Sequence, residues 1–261
     1  MPQLPVPDPA ALQHSKNTSA LIAREIEMAG GWIPFSRFME LALYAPGLGY
    51  YSAGMDKFGE MGDFVTAPEI SALFGRSLAN QAAQVLQLTG GNILEVGAGS
   101  GRLALDLLTE LERLGCLPQR YFILEVSADL RARQQQLLQP FTSRIEWLDA
   151  LPASFSGLIL GNEVLDAMPV DLVAWREDGL YERGVNLVDG SFSWSERKLT
   201  SGGLFDVAST LAGGLTPTLA LPRLAGEGKN NGYISEISLA ARGFIASLAG
   251  MLNQGVILML D

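Results

Sequence analysis

One cysteine, Cys116, and one histidine, His14, are all that 261 residues offer of those two types. A lone cysteine allows neither an internal disulfide nor a cysteine metal cluster, and it suits a reducing compartment. A lone histidine argues against histidine triads and multi-histidine metal sites, so no metal site is expected. His14 falls in a Pro-rich leader and is expected to be exposed in a loose N-terminus. Positive charge is also short: 18 basic against 28 acidic residues leave a net charge of −10. Such a surface repels phosphate backbones, which argues against nucleic acid as a direct partner, and it tolerates or attracts a cationic substrate. No hydrophobic run is long enough to span a membrane. The most apolar late stretch, "LAGMLNQGVILML", is short and broken by Asn253 and Gln254. The opening "MPQLPVPDPAALQ" carries neither a charged-then-apolar signal nor an Arg-rich amphipathic presequence, so the expected compartment is the cytoplasm.

What is present is an apolar content of 48%, enough for one large α/β domain or two small ones. Residues 1–13 read as loose. "NTSALIAREIEMAGG" reads as a helix capped by Thr18 or Ser19, with Leu21, Ile22 and Ile26 at helical spacing and Gly30 or Gly31 as its stop. "IPFSRFMELALYAPGLGYY" predicts a second helix to about Tyr44, ended by Pro46. The Gly- and aromatic-rich stretch "GLGYYSAGMDKFGEMGDFVTAPEIS" is long for a connection, as lids and binding loops are. "SALFGRSLANQAAQVLQLTGG" is helical, with Gly90 and Gly91 as its stop. A βαβ series follows: strand "NILEVG"; helix "SGRLALDLLTELERLG" with Leu103, Leu107, Leu111 and Leu114 on one face; strand "RYFILEVS"; helix "ADLRARQQQLLQ" capped by Ser127; strands "RIEWLDA" and "SGLILGNEVLD". This alternation indicates a parallel sheet with helices on both faces. Asp178-Gly179 and Asp189-Gly190 between β-rich runs mark hairpins, and so an antiparallel meander inserted after the fourth strand. Residues 201–232 read as loop with a short helix near 204–211. "ISEISLAARGFIASLAGMLNQ" reads as helix stopped by Gly255, and "VILMLD" as a strand. The chain stops at Asp261, on the end of a buried-looking strand, so a fragment lacking its C-terminal part is expected.

In "LEVGAGSGR", Gly97, Gly99 and Gly101 alternate with small residues directly after a strand. Glycine there permits positive φ and close backbone approach, and a helix starting near Ser100 aims free N–H groups at a ligand. A tight βα turn with no ligand is the plain alternative. A dinucleotide fingerprint needs a third glycine where Arg102 stands, and its acidic residue would come earlier than Glu125. A phosphate loop would continue into Gly-Lys-Ser/Thr, which this sequence does not do. What stands is Glu-x-Gly-x-Gly-x-Gly, with Glu125 closing the next strand, where a carboxylate can accept both hydrogen bonds of a ribose diol.

That pattern resembles class I S-adenosylmethionine-dependent methyltransferases. Four further stretches, "FMELALYAPGLGYY", "GDFVTAPEISALFG", "ILEVSADLRARQ" and "GNEVLDAMPVDLV", resemble the MidA family of that class, in order from about residue 19 to Asp261. The resemblance implies an α/β fold: a Rossmann-like class I methyltransferase sheet with an N-terminal helical segment and an inserted antiparallel β-meander. Residues 1–90 would form the helical lead and lid loop, and 91–261 the Rossmann-like core, with 171–232 as inserted meander and loop. The implied cofactor is S-adenosyl-L-methionine. In that family the last strand runs on into an Asp-Tyr-Gly segment, so the stop at Asp261 again implies truncation. Mitochondrial members are protein arginine methyltransferases acting in assembly of respiratory complex I. That implies a protein partner and an arginine acceptor, on a complex I subunit. Two other readings stay open: a small-molecule methyltransferase, and a cofactor-binding assembly chaperone without significant catalysis.

The resemblance also assigns residues. Gly97, Gly99 and Gly101 are expected under the methionine part of the cofactor. Glu95 is expected to fix that loop through backbone N–H groups or to hold the cofactor's amino group; an ordinary strand-end carboxylate is the alternative. Glu125 goes to the ribose. Asp149, after the third strand, goes to the adenine amino group, with a solvated loop carboxylate as its rival. Asn162, Glu163 and Asp166 follow the fourth strand, at the sheet edge where open α/β folds bind ligands. A guanidinium is planar and cationic, and a carboxylate pair matches its fork geometry. Glu163 with Asp166, or with Asp63 or Glu69, would hold it and help take the released proton; alternatively Asp166 caps a following helix. Gly62, Asp63, Thr66 and Pro68 lie in the stretch read as a lid over the cofactor. Phe35, Phe38 and Tyr44 read as helix core, which leaves Tyr50 and Tyr51 as aromatic walls for a cation.

Overall fold

Pro9 opens a helix rather than preceding one. In the computed structural model, which describes residues 9–52, 66–214 and 232–261, the elements in chain order are α1 (Pro9–Met28), β1 (Trp32–Pro34), α2 (Phe35–Tyr44), α3 (Ala67–Ile70), α4 (Ala72–Thr89), β2 (Asn92–Val96), α5 (Arg102–Arg113), β3 (Tyr121–Leu124) and α6 (Ala128–Leu137). A turn of 3₁₀ helix (Gln139–Phe141) leads to β4 (Ile145–Leu148), β5 (Phe155–Asn162), β6 (Asp171–Arg176), β7 (Gly179–Val188), β8 (Ser191–Leu199), α7 (Gly203–Gly214), β9 (Tyr233–Ile237), α8 (Leu239–Met251) and β10 (Leu252–Leu260). The chain divides into two compact units, one of residues 1–53 and 168–242 and one of residues 54–167 and 243–261. No helix among the described residues is long and apolar enough to cross a membrane.

The first unit is built on an antiparallel sheet. β7 carries β8 along Leu180–Val188; β6 (opposite Gly179–Arg183) and then β1 (opposite Gly184–Asn186) share its other edge, and β9 pairs with β6. The two hairpin turns fall where Asp-Gly places them, with Asp189 itself at φ +50 and Gly190 at φ +75. α1 and α2 pack Ile22, Ile26, Leu41, Phe35 and Phe38 against Val185 and Leu187, while α7 sets Leu204 and Ala208 on Val173 and Ile237.

Several expectations change here. Residues 9–13 are helical, because proline at a first helical position gives up an N–H that would have no partner anyway. Thr18 is therefore interior and caps nothing; its hydroxyl donates to the carbonyls of His14 (3.1 Å) and Leu48 (3.0 Å). His14 is not loose: it is half-buried in α1 with Nε2 2.9 Å from the same Leu48 carbonyl. Tyr44, read as core, is 38% exposed and stacks on Tyr51. Tyr233–Ile237 is a strand and not the start of a helix, and Gly255 lies within β10 beside a register shift, so it stops no helix.

The second unit holds the parallel sheet, in the order β10-β5-β2-β3-β4. Ser71 caps α4 by accepting from the Leu73 N–H, and Gly90 at φ +58 ends it. On one sheet face Ile93, Tyr121, Ile123 and Leu160 lie under Leu103, Leu107, Leu108 and Leu111 of α5 and Ala79, Ala82 and Leu86 of α4. On the other, Leu94, Val96 and Ile159 meet Leu248 and Met251 of α8. Each fully buried leucine here contributes about 1.5–3 kcal/mol. The chain works outward from β2 through β3 to β4, then returns to set β5 beside β2. The order reverses between β2 and β5, and ligands bind outside the carboxyl ends of strands at such a switch point.

Candidate functional site at the carboxyl edge of the parallel sheet

β2 and β5 run side by side from Asn92↔Gly157 to Val96↔Gly161, and the segments that leave them carry Gly97–Gly101 and Asn162–Asp166. All three loop glycines have positive φ: +66 at Gly97, +54 at Gly99 and +86 at Gly101. Two are also pressed from the side. A Cβ on Gly97 would stand 3.3 Å from Val164 Cγ2, and one on Gly101 3.2 Å from Gln134 Cγ. Gly101 caps α5 without a side-chain bond and Ser100 Oγ accepts from the Arg102 N–H (3.2 Å), so the N–H groups after Arg102 in the first turn are the ones that face outward to a ligand. Gly101→Ala is expected to cost about 1–2 kcal/mol for its left-handed backbone, read as a drop in Tm together with weaker cofactor binding. An unchanged Tm and affinity would remove the geometric argument.

Glu95 is buried, and Tyr121 Oη donates to its Oε2 at 2.6 Å. That hydroxyl, and not a backbone N–H of the glycine loop, is the partner given to it. Burial pushes the Glu95 carboxyl up to about 7; the Tyr121 bond opposes the rise and the nearby Glu125 charge adds to it. Burial, with Glu95 alongside, likewise pushes the Tyr121 phenol up. Glu125 is also buried, one oxygen accepting from the Ser127 N–H (2.9 Å) and the other from Gln134 Nε2 (3.2 Å). Asp149 is almost fully exposed, and its Oδ1 takes Arg131 Nη1 at 2.9 Å. Ser100 Oγ donates to Glu69, which ties α3 to the glycine loop.

Glu163, Asp166 and Asp261 each bring a carboxylate oxygen to within 4.8 Å of the others. The Glu163 N–H donates to Leu260 O (2.8 Å), and the N–H groups of Leu165 and Asp166 to the Asp261 carboxylate (3.3 Å each). Burial first, then the charges of Asp166 and Asp261, raise the Glu163 carboxyl; burial and Asp261 raise that of Asp166. Glu163 sits at φ +53, a left-handed backbone that costs a side-chain-bearing residue about 1–3 kcal/mol and clusters at functional sites. Asn162 ends β5 beside Leu260. No helix follows β5 before β6 begins, so Asp166 is not a helix cap. Asp261 is the site residue that side-chain pattern missed; its signal was its place at the end of the last strand. Three such oxygens suit a hard cation as well as a guanidinium.

Thr66 immediately precedes α3 without a side-chain capping bond, and Pro68 is buried within that helix. Gly62 and Asp63, and with them most of the stretch read as a lid, lie outside the described residues. Tyr50 meets Tyr51 edge-on, with 5.2 Å between centroids, in the first unit.

A family model described as "Putative S-adenosyl-L-methionine-dependent methyltransferase" matches residues 77–261. The mitochondrial protein arginine methyltransferase NDUFAF7 homolog of Caenorhabditis elegans is 27% identical over 221 residues, covering 74% of this chain and 51% of that protein. The Drosophila melanogaster protein of the same name is 28% identical over 237 residues, covering 79% and 49%. The chain thus spans about half the length of these curated relatives. A Burkholderia thailandensis crystal structure with bound S-adenosyl-homocysteine is 44% identical, with a TM-score of 0.85 over 98% of this chain and 65% of that one.

Proposed function

The chain belongs to this family of S-adenosyl-L-methionine-dependent methyltransferases, and from that premise we propose that it methylates a protein arginine side chain. One observation carries the acceptor reading: three carboxylates, Glu163, Asp166 and Asp261, gather at the edge of the parallel sheet where the glycine loop also ends. The names of the curated relatives support the same acceptor. The resemblance of the "GDFVTAPEIS" and "GNEVLDAMPV" stretches supports a complex I subunit as the protein that carries it.

The residues present fit the cofactor. The left-handed glycine loop brings bare backbone to within contact of a ligand, and Glu125 keeps both oxygens, each with a lone pair to spare, at the end of β3 for a ribose diol. Glu95 holds negative charge behind the loop once it ionises, Asp149 Oδ2 remains for the adenine amino group, and Thr66 stands at the end of the stretch read as a lid over the cofactor. When bound, the cofactor supplies a methyl group activated by a sulfonium. The chain's own contribution is alignment, and positioning alone can supply roughly 7–11 kcal/mol. Glu163 and Asp166 grip the guanidinium bidentately, with Asp261 behind them and Asn162 setting the end of the strand. As the guanidinium nitrogen bonded to the methyl carbon, the methyl C–S bond would break and leave a neutral thioether, and Glu163, its carboxyl raised by burial and by Asp166 and Asp261, would accept the proton that the methylated nitrogen gives up.

The test is transfer of isotope-labelled methyl from S-adenosyl-L-methionine into a respiratory-membrane protein extract, with peptide mass spectrometry. Label on arginine is the expected result. Label confined to small molecules would replace the protein acceptor.

A further inference from the structure

Gln134 is fully buried in an otherwise polar, solvent-facing helix, α6. Both hydrogens and the oxygen of its amide have partners. Nε2 donates to the Gly99 carbonyl (2.9 Å) and to Glu125 Oε2 (3.2 Å), and Oε1 accepts from Trp147 Nε1 (3.0 Å). The indole N–H can only donate, so Oε1 must face Trp147 and the two hydrogens must face the loop and the carboxylate. The amide therefore has one orientation; turned over, it would set oxygen against both the Gly99 carbonyl and the Glu125 carboxylate. Its stem completes the fit, since Cγ is the atom that a Cβ on Gly101 would meet at 3.2 Å.

We propose that Gln134 is a positioning residue for cofactor binding: its amide clamps the glycine loop to Glu125, fixing the plane of the carboxylate that receives the ribose diol, with Trp147 locking the clamp. The proposal rests on the reading of Glu125 as the ribose ligand. Without the clamp, Glu125 keeps only the Ser127 N–H, free to rotate about that single bond, and the Gly99 carbonyl loses its buried donor. Satisfied buried networks of this kind rigidify a site, and their members couple in double-mutant cycles.

The experiment is calorimetric titration of S-adenosyl-homocysteine into wild type, Gln134→Met, Glu125→Gln and the double variant, with Tm measured beside it. Gln134→Met keeps length and volume and removes both donors. The expected result is an affinity loss of about tenfold for Gln134→Met and about 100-fold for Glu125→Gln, with the double variant no weaker than Glu125→Gln alone. Losses that multiply in the double variant, or a Gln134→Met protein that binds as wild type beside a weakened Glu125→Gln, overturn the clamp and leave the ribose reading standing. An unaffected Glu125→Gln overturns the ribose reading and the clamp with it. Should Gln134→Met not fold, Gln134→Glu supplies the test. As a carboxylate it repels both partners, and as a neutral acid it can donate to one of them. Its affinity relative to wild type should therefore recover as pH falls, and a ratio that does not change with pH overturns the clamp.

Discussion

Glu163→Gln is expected to lower kcat/KM for arginine methylation by about 10²- to 10³-fold, while S-adenosyl-homocysteine binds within about twofold of wild type. The substitution keeps size and nearly keeps shape. It removes one charge from a group of three and the oxygen assigned to the departing proton. Asp166 and Asp261 remain, so part of the grip on the cation survives and the loss falls more on kcat than on KM. The same carboxylates set the sign of the pH dependence. Burial and mutual repulsion raise Glu163 and Asp166 above the ordinary carboxylate range, so protonation begins at higher pH than usual and activity falls on that acidic side. A companion variant separates chemistry from backbone strain. Glu163→Gly relieves a residue held at φ +53 and should raise stability by about 1 kcal/mol or more while losing activity. Full methylation activity in Glu163→Gln would remove Glu163 from the mechanism, whereas undiminished function in cells from a variant that no longer transfers methyl would return the chaperone reading.

The elements read correctly from sequence are those whose pattern is local. The helix α5 shows its leucine stripe, Ser127 caps α6 where a hydroxyl precedes a helix, and both hairpins follow from Asp-Gly. The failures share a different cause, which is pairing with distant residues. β1 is three residues that pair along the edge of β7 at Gly184–Asn186, with Ile33 in the core beside Ile22 and Leu41. Ile234 and Ile237 stand three apart, as on a helix, yet β6 recruits them into a strand. His14 and Thr18 look idle until Leu48 arrives beside them. The site divides in the same way. Gly97, Gly99, Gly101 and Glu125 announce themselves because a strand-to-helix turn is a short-range motif. Gln134 opens a run of three consecutive glutamines, and nothing local separates it from Gln135 or Gln136; only its partners on β4 and the glycine loop do. Asp261 stands at the end of the last strand, and the register that brings Leu260 beside Asn162 is what sets it near Glu163 and Asp166.

Glu95→Gln should change markedly how stability depends on pH between about 4.5 and 8. The carboxyl is pushed from 4.5 when unfolded to about 7 when folded. The sign follows from that direction: the native state binds the proton more tightly, so the stabilisation is fully present below pH 4.5 and is lost as pH rises through 7. A displacement of that size corresponds to about 3 kcal/mol of stability surrendered across the window. Glutamine keeps an oxygen to accept the Tyr121 hydroxyl and carries no charge to bury, so the variant should lose none of it. Other raised carboxyls, and the net negative charge of the chain, tilt the curves of both proteins alike. The difference between the two denaturation series, measured from about pH 4.5 to 8 without ligand, therefore isolates Glu95. Parallel curves would mean that the carboxyl ionises without penalty, its charge already met inside the fold. A divergence of the expected size would mean that the fold tolerates a costly anion directly behind the glycine loop. Placing fixed negative charge where a cationic ligand docks is a reason for a protein to carry that cost. In that case saturating S-adenosyl-L-methionine should narrow the gap between the two proteins above about pH 7, because the ligand's positive charge favours the ionised form.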